Sequence, residues 1–132
     1  MKSEIFEFSV QIYYEDTDHS GVVYHSNYLK YFERAREDVI GIENLVELWK
    51  KNNLGFAVYK VDIVYHEGAE FGDKLKIISQ YEFDGKYRLI WNQTAWRPNS
   101  KKPAVDAIIH LVCINKNKQL VPIPEVKLPL HS

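Results

Sequence analysis

Apolar and polar residues alternate from the start of the chain: Phe6, Phe8, Val10, Ile12 and Tyr14 take the even positions of the run from Ile5 to Tyr14. A period of two predicts a strand with one buried face. The period then changes. From about Ser26 to Ile40, Tyr28, Phe32, Ala35 and Val39 share one helical face, while Lys30, Arg34 and Glu37 fall elsewhere. Ser26 or Asn27 is placed to cap this helix and Gly41 to stop it. Leu45, Leu48 and Trp49 predict a second, short helix ending near Asn52 and Asn53.

Beyond Asn53 the period returns to two. Ala57, Tyr59, Val61, Ile63 and Tyr65 alternate with Val58, Lys60, Asp62 and Val64, and Gly68, Gly72 and Asp73 mark a turn. Leu75, Ile77, Ser79, Tyr81 and Phe83 alternate again. Asp84-Gly85 is a two-residue hairpin signal, with Tyr87 to Trp96 as the returning strand. Pro98-Asn99-Ser100 opens a turn, and Ala104 to Ile114 is a last long strand with Ala107, Ile109, Leu111 and Cys113 on one face. Asn115 to Lys118 turns, and Pro122, Pro124 and Pro129 predict an irregular tail. One strand, one main helix and four further strands make an α+β domain, an antiparallel sheet burying one face against the helix. No repeat or linker divides residues 1–132, so a single domain is expected.

Composition sharpens this in two ways. Nine tyrosines and a 14 % aromatic share suit sheets and interfaces. Phe8, Tyr13, Tyr59, Tyr65, Tyr81 and Trp91 exceed what one helix can cover, which predicts a face shared between subunits. The net charge of −1 gives no pull toward nucleic acid or an anionic membrane. One cysteine excludes an intrachain disulfide, and no long apolar run or secretory pattern is present; a cytoplasmic protein is expected.

The candidate chemistry lies in Tyr14 to Arg36, where Asp16, Asp18, His19 and His25 surround the turn residue Gly21 just ahead of the main helix. A carboxylate beside the positive end of a helix can work with the helix amides on a carbonyl. Asp18 can act as general base or nucleophile. Amides near Tyr24 and His25 can hold a developing oxyanion. His25 is a second catalytic candidate or a polar residue at a helix start. Asp16 is read as structural, holding the loop, and His19 as solvated. Asp18 could also simply cap a turn. Glu33 either reaches toward the site or pairs with Arg34 or Arg36. Cys113 reads as inert core.

Other chemistries fail on spacing. Asp16-x-Asp18-x-Ser20-Gly21 imitates the start of a calcium loop, but its twelfth position is Asn27 rather than a bidentate Glu. No Gly-x-Ser-x-Gly elbow, phosphate-binding glycine loop or paired-cysteine motif occurs. Neither metal nor cofactor is expected.

The pattern Tyr14-x-Asp16-Thr17-Asp18-x-x-Gly21-Val22-Val23-Tyr24-x-x-x-Tyr28, followed by Glu33-x-Ala35-Arg36, resembles the hotdog-fold acyl-CoA thioesterases of the 4-hydroxybenzoyl-CoA thioesterase type, and within them the Tol–Pal-associated, YbgC-like group. The resemblance implies a sheet wrapped round one helix and an acyl-CoA substrate. It implies Asp18 as the catalytic aspartate and Tyr14, Gly21, Val23 and Tyr24 against the substrate. It also implies a homo-oligomer, dimer or tetramer, with sites at subunit boundaries, and brings in a cell-envelope or lipid-synthesis complex as a candidate partner. Coenzyme A needs cations for its phosphates, and Arg88 and Arg97, with Lys101 and Lys102, are the candidates. One departure is that Glu67-Gly68-Ala69 stands where relatives often carry a proline, beside the acyl pocket. The competing readings are a hotdog domain that binds acyl-CoA without hydrolysing it, as sensor or assembly component, and a dehydratase on the same fold; the intact Asp18 loop argues against both.

Overall fold

The computed structural model describes residues 2–124. Strand β1 (Phe6–Gln11) leads through a short 3-10 turn (Tyr14–Asp16) to α1 (Asn27–Ile40), α2 (Ile42–Asn52) and then β2 (Leu54–Tyr65), β3 (Lys74–Asp84), β4 (Arg88–Trp96), β5 (Val105–Asn115) and the two-residue β6 (Leu120–Val121). The sheet is antiparallel with the order β1-β3-β4-β5-β2, and β6 pairs with β5. One face of it wraps α1, as the resemblance implies. The tail prediction at Pro129 lies outside the described residues, while β6 adds a strand ahead of Pro122 that the tail reading left out.

The alternation sorts side chains as expected on β3 and β5. Leu75, Ile77, Ser79 and Tyr81 are buried together with Ala107, Ile109, Leu111 and Cys113. Burial pushes the Cys113 thiol up, in keeping with inert core. On β2 the alternation is interrupted. The register slips between Val58 and Lys60, so Val58 stands opposite Leu111 and Lys60 opposite His110. Tyr59 is thus the extra residue of a β-bulge. Val58 before the bulge and Val61 after it therefore oppose Leu111 and Ile109, which both face the core. The straight alternation placed Ala57 and Tyr59 with Val61, and the bulge reverses that. The turn after β3 is also longer than the Asp84-Gly85 signal implied: Asp84 pairs with Arg88, leaving three residues between them.

Two aromatics proposed for an interface belong to the protomer's own core, since Trp91 is fully buried and Tyr81 nearly so. Tyr13, Tyr59 and Tyr65 do remain exposed. Helix α1 buries Tyr28, Tyr31, Phe32, Ala35 and Ile40, but also Arg36. Its guanidinium Nη1 donates to Gln93 Oε1 at 3.0 Å. Gln93 Nε2 in turn donates to the Phe32 carbonyl and to Ser79 Oγ, each at 2.9 Å. Arg36 is therefore not the surface partner of Glu33 that the helix pattern allowed. Instead a buried polar knot joins α1 to β3 and β4.

Candidate active site

The segment between β1 and α1 is folded by its own polar groups. Asp16 Oδ2 accepts the Tyr13 amide at 2.8 Å, Asp16 Oδ1 accepts Asn27 Nδ2 at 3.2 Å, and the Asp16 carbonyl accepts the Tyr24 amide at 2.9 Å. That is the structural role read for Asp16. The next residues close a tight turn, with the Asp18 amide donating to the Val22 carbonyl at 2.7 Å and the Gly21 amide to the Asp18 carbonyl at 3.0 Å. Gly21 sits at φ +86°, where a side chain is strained. Val23 is buried and its amide donates to the Ala69 carbonyl at 2.8 Å, so the loop is stitched to the turn after β2.

This turn carries Asp18 on its rim, partly exposed. Its Oδ1 accepts the hydroxyl of Ser20 at 2.7 Å and the Ser20 amide at 2.8 Å. The Ser20 hydroxyl, then the Ser20 amide, hold the carboxyl below its ordinary value. Asp18 is thus an anion at neutral pH, and its Oδ2 has no hydrogen-bond partner among the described residues.

Asp18 opens on a cleft of about 280 Å³. Val22 and Val23 line it from the loop, His25 and Tyr28 from the start of α1, and Tyr65, His66, Glu67 and Gly68 from the end of β2. The helix start does not offer every amide. That of Tyr24 is used by Asp16 and that of Asn27 by the Tyr24 carbonyl, at 2.9 Å each. The oxyanion reading therefore loses Tyr24 and keeps His25, whose amide, like that of Ser26, donates to nothing among the described residues. Ser26 is the N-cap residue but makes no side-chain cap bond, which corrects the capping expectation.

The remaining sequence candidates separate. His25 reaches the cleft, its ring tilted over Tyr24 at 4.6 Å between centroids and edge-on to Tyr65 at 6.2 Å. Tyr14 is 77 % exposed, stands edge-on to Phe71 and does not line the cleft. Arg97 lies at the same end of the sheet, but its guanidinium is held by Asp73 at 2.7 Å, Glu67 at 3.2 Å and Glu70 at 3.4 Å. Three carboxylates around one cation leave no positive field for a phosphate. Arg88 opens β4, seven residues from Ala95, or roughly 24 Å at the rise of an antiparallel strand. There it pairs with Asp84 at 3.7 Å and lies over the Tyr59 ring. Glu33 lines a different groove, beside Arg36 and Trp49.

The sequence reading set Glu67-Gly68-Ala69 beside the acyl pocket but missed Tyr65 and His66, which complete the second wall of the cleft. His66 Nε2 bonds Asp106 Oδ2 at 2.9 Å, and the amides of His66 and Glu67 both donate to the Ala104 carbonyl. Gly68 is needed for close approach: a Cβ there would stand 2.6 Å from Val22 Cγ1. The only signal in the sequence was the glycine in place of a proline.

With this geometry in view, the family description "thioesterase-like superfamily" matches residues 13–128. The chain belongs to that superfamily. Among its relatives is the acyl-CoA thioesterase YbgC of Haemophilus influenzae, 31 % identical over 128 residues that span 96 % of this chain and 94 % of that one. Among solved structures, a probable thioesterase from Bartonella henselae superposes with a TM-score of 0.84 at 26 % identity, covering 92 % of this chain and all of the other. The 1,4-dihydroxy-2-naphthoyl-CoA thioesterase Slr0204 of Synechocystis gives the same TM-score at 23 % identity, over 92 % and 91 % of the two chains, and attests the fold. The hotdog architecture and the YbgC-like relationship are thus established for this superfamily member. No described helix is long and apolar enough to cross a membrane.

Proposed function

We propose that this superfamily member hydrolyses acyl-CoA thioesters in the Asp18 cleft. The observation that carries the reading is the pairing of an anionic carboxylate, with one oxygen unengaged, and the unengaged His25 amide at the positive end of α1. Asp18 either takes a proton from water as the water attacks the thioester carbon, or attacks that carbon itself to give a mixed anhydride that water then cleaves. In both routes the C–S bond breaks, the sulfur leaves as the coenzyme thiolate, and the acyl group ends as a free carboxylic acid. The unengaged His25 amide faces the carbonyl oxygen as it gains charge, and one such donor is worth about 2.7–4 kcal/mol.

The coenzyme's phosphates are assigned to Lys101 and Lys102. Neither forms an ion pair among the described residues, and their turn leads into Ala104, whose carbonyl anchors His66 and Glu67. Arg88 reaches substrate only from another subunit. A homo-oligomer, dimer or tetramer, is supported by β2. It pairs with β5 along one edge, and its other edge is taken by no strand among the described residues, while Val58, Tyr59, Val64 and Tyr65 are exposed.

The test is release of free thiol from a panel of aliphatic and aromatic acyl-CoAs. Asp18→Asn is expected to keep binding and to lower kcat by at least about 10²-fold. Near-normal turnover by this variant refutes the assignment. Tight binding by the wild type without any thiol release favours the non-catalytic binder.

A further inference from the structure

Arg97 follows directly on β4, and each nitrogen of its guanidinium is held by a different carboxylate: Nε by Asp73 at 2.7 Å, Nη1 by Glu67 at 3.2 Å and Nη2 by Glu70 at 3.4 Å. All three acids sit on the connection between β2 and β3, near its start, middle and end. The backbone ties the two ends of this connection to neighbouring strands. The His66 amide donates to the Ala104 carbonyl, just ahead of β5, at 2.7 Å, and the Ile12 amide, just after β1, donates to the Asp73 carbonyl at 2.9 Å. The middle leans toward the site instead. The Ala69 carbonyl accepts the Val23 amide at 2.8 Å, Glu70 bridges to Val22, and the Ala69 amide donates to the Tyr28 hydroxyl oxygen at 3.4 Å. Arg97 thus reaches from β4 to the back of the wall whose front meets the Asp18 segment.

We infer that Arg97 is a positioning residue for thioester hydrolysis: by gathering Glu67, Glu70 and Asp73 it sets the wall of the cleft, and through Val22 and Val23 the Asp18 turn, against the start of α1. The inference rests on the hydrolase reading above. Arg97 does not line the cleft and never touches the reacting atoms. It acts through Glu67, which does line the cleft, and through Glu70, which bridges to Val22. Without the guanidinium, three carboxylates would stand at close range with no cation between them, and their repulsion would open the turn. The hydrogen bond to Asp73 pushes Arg97 above its ordinary pKa, so the clamp stays charged.

Glu70→Gln is the mild variant, because this side chain is 63 % exposed. An exposed ion pair shifts an equilibrium by up to about fivefold, and kcat should fall by no more than that. Arg97→Met keeps the apolar stem and breaks all three pairs. It is expected to lower kcat about ten- to a hundredfold, the upper figure being the cost of a shift of about 1 Å at a reacting group. KM should stay within about twofold in both variants, since geometry at the reacting atoms is lost rather than uniform binding. Arg97→Lys brings one point charge to three acceptors and should lie between Arg97→Met and the wild type. In the Arg97→Met background, Glu70→Gln should cause no further loss, because its partner is already gone. Another readout needs no activity: in Arg97→Met the Val23 amide should exchange its hydrogen faster, while the His66 amide keeps its protection. An unchanged kcat in Arg97→Met, a raised KM with kcat intact, or an equal loss from Glu70→Gln in both backgrounds overturns the proposal. So does an unchanged Val23 exchange rate, or an equal acceleration at Val23 and His66. If the wild type releases no thiol from any acyl-CoA, the hydrolase reading fails on its own account, and the two exchange rates still decide whether Arg97 holds this turn against the Asp18 segment.

Discussion

Adding one methyl group at Gly68 should disturb both stability and rate. A Cβ at this position meets Val22 Cγ1 at 2.6 Å, Val22 Cβ at 2.9 Å and Val22 Cγ2 at 3.4 Å. Rotation about χ1 moves the two methyls but not Cβ, and valine is stiff about that bond in any case. To regain a contact of about 3.5–4.0 Å, the backbone at Val22 must withdraw by about 1 Å. That backbone is pinned, since its carbonyl receives the Asp18 amide at 2.7 Å and the residue bridges to Glu70. The displacement therefore passes to Asp18. Overpacking of this kind costs roughly 1–3 kcal/mol. A shift of about 1 Å at a reacting group can cost on the order of 10² in rate. Gly68→Ala is expected to lower Tm by several degrees and kcat by at least tenfold, read by calorimetry and by thiol release. Val22→Ala should relieve it only in part, because the contact at 2.9 Å survives. Val22→Gly removes all three contacts, so the double variant should exceed the sum of the single ones by about 1 kcal/mol or more. A Gly68→Ala protein with wild-type Tm and kcat would refute the claim that Val22 links this turn to Asp18.

The Ser20 hydroxyl is the largest influence holding the Asp18 carboxyl down. On the proposed mechanism the anion is the working form, so activity in the wild type should persist until the pH falls through a value below the ordinary 3.8 of an aspartate, and Ser20→Ala should move that acid limb upward. A limb at the same pH in both proteins would detach Ser20 from the chemistry. For the assembly, light scattering with parallel assays over a dilution series should show activity falling as subunits part; a fully active monomer contradicts a site shared across the β2 edge.

The elements were legible where burial is one-sided. The even positions of β1 and the odd positions of β3 and β5 announced their faces, and Tyr28, Phe32 and Ala35 announced that of α1. The bulge at Tyr59 was not legible, because an inserted residue leaves the local run of apolar side chains looking regular on either side. Arg36 was hidden for a different reason: its partner Gln93 is 57 residues away, and nothing near Arg36 distinguishes a buried guanidinium from a solvated one. At the site, the first wall was written in one continuous motif. The second wall is assembled by sheet pairing, so no spacing in the chain could bring Tyr65 and His66 to it, and the resemblance alone set Glu67-Gly68-Ala69 beside the pocket. Arg97 read as a free cation because its acidic partners lie 24 to 30 residues earlier in the chain.

The knot of Arg36, Gln93, Ser79 and the Phe32 carbonyl sets the height of α1 along the sheet. Apolar side chains packed on a pleated surface tolerate sliding, since one methyl can replace another. Directional bonds do not, and a slip of one helical turn, about 5.4 Å, would break all of them and strand a charge. The stop lies about two turns in from the helix start, yet it decides where His25 and Tyr28 end up relative to Asp18. The interior thus works as a gauge block: it holds two edges of the Asp18 cleft apart by a fixed length.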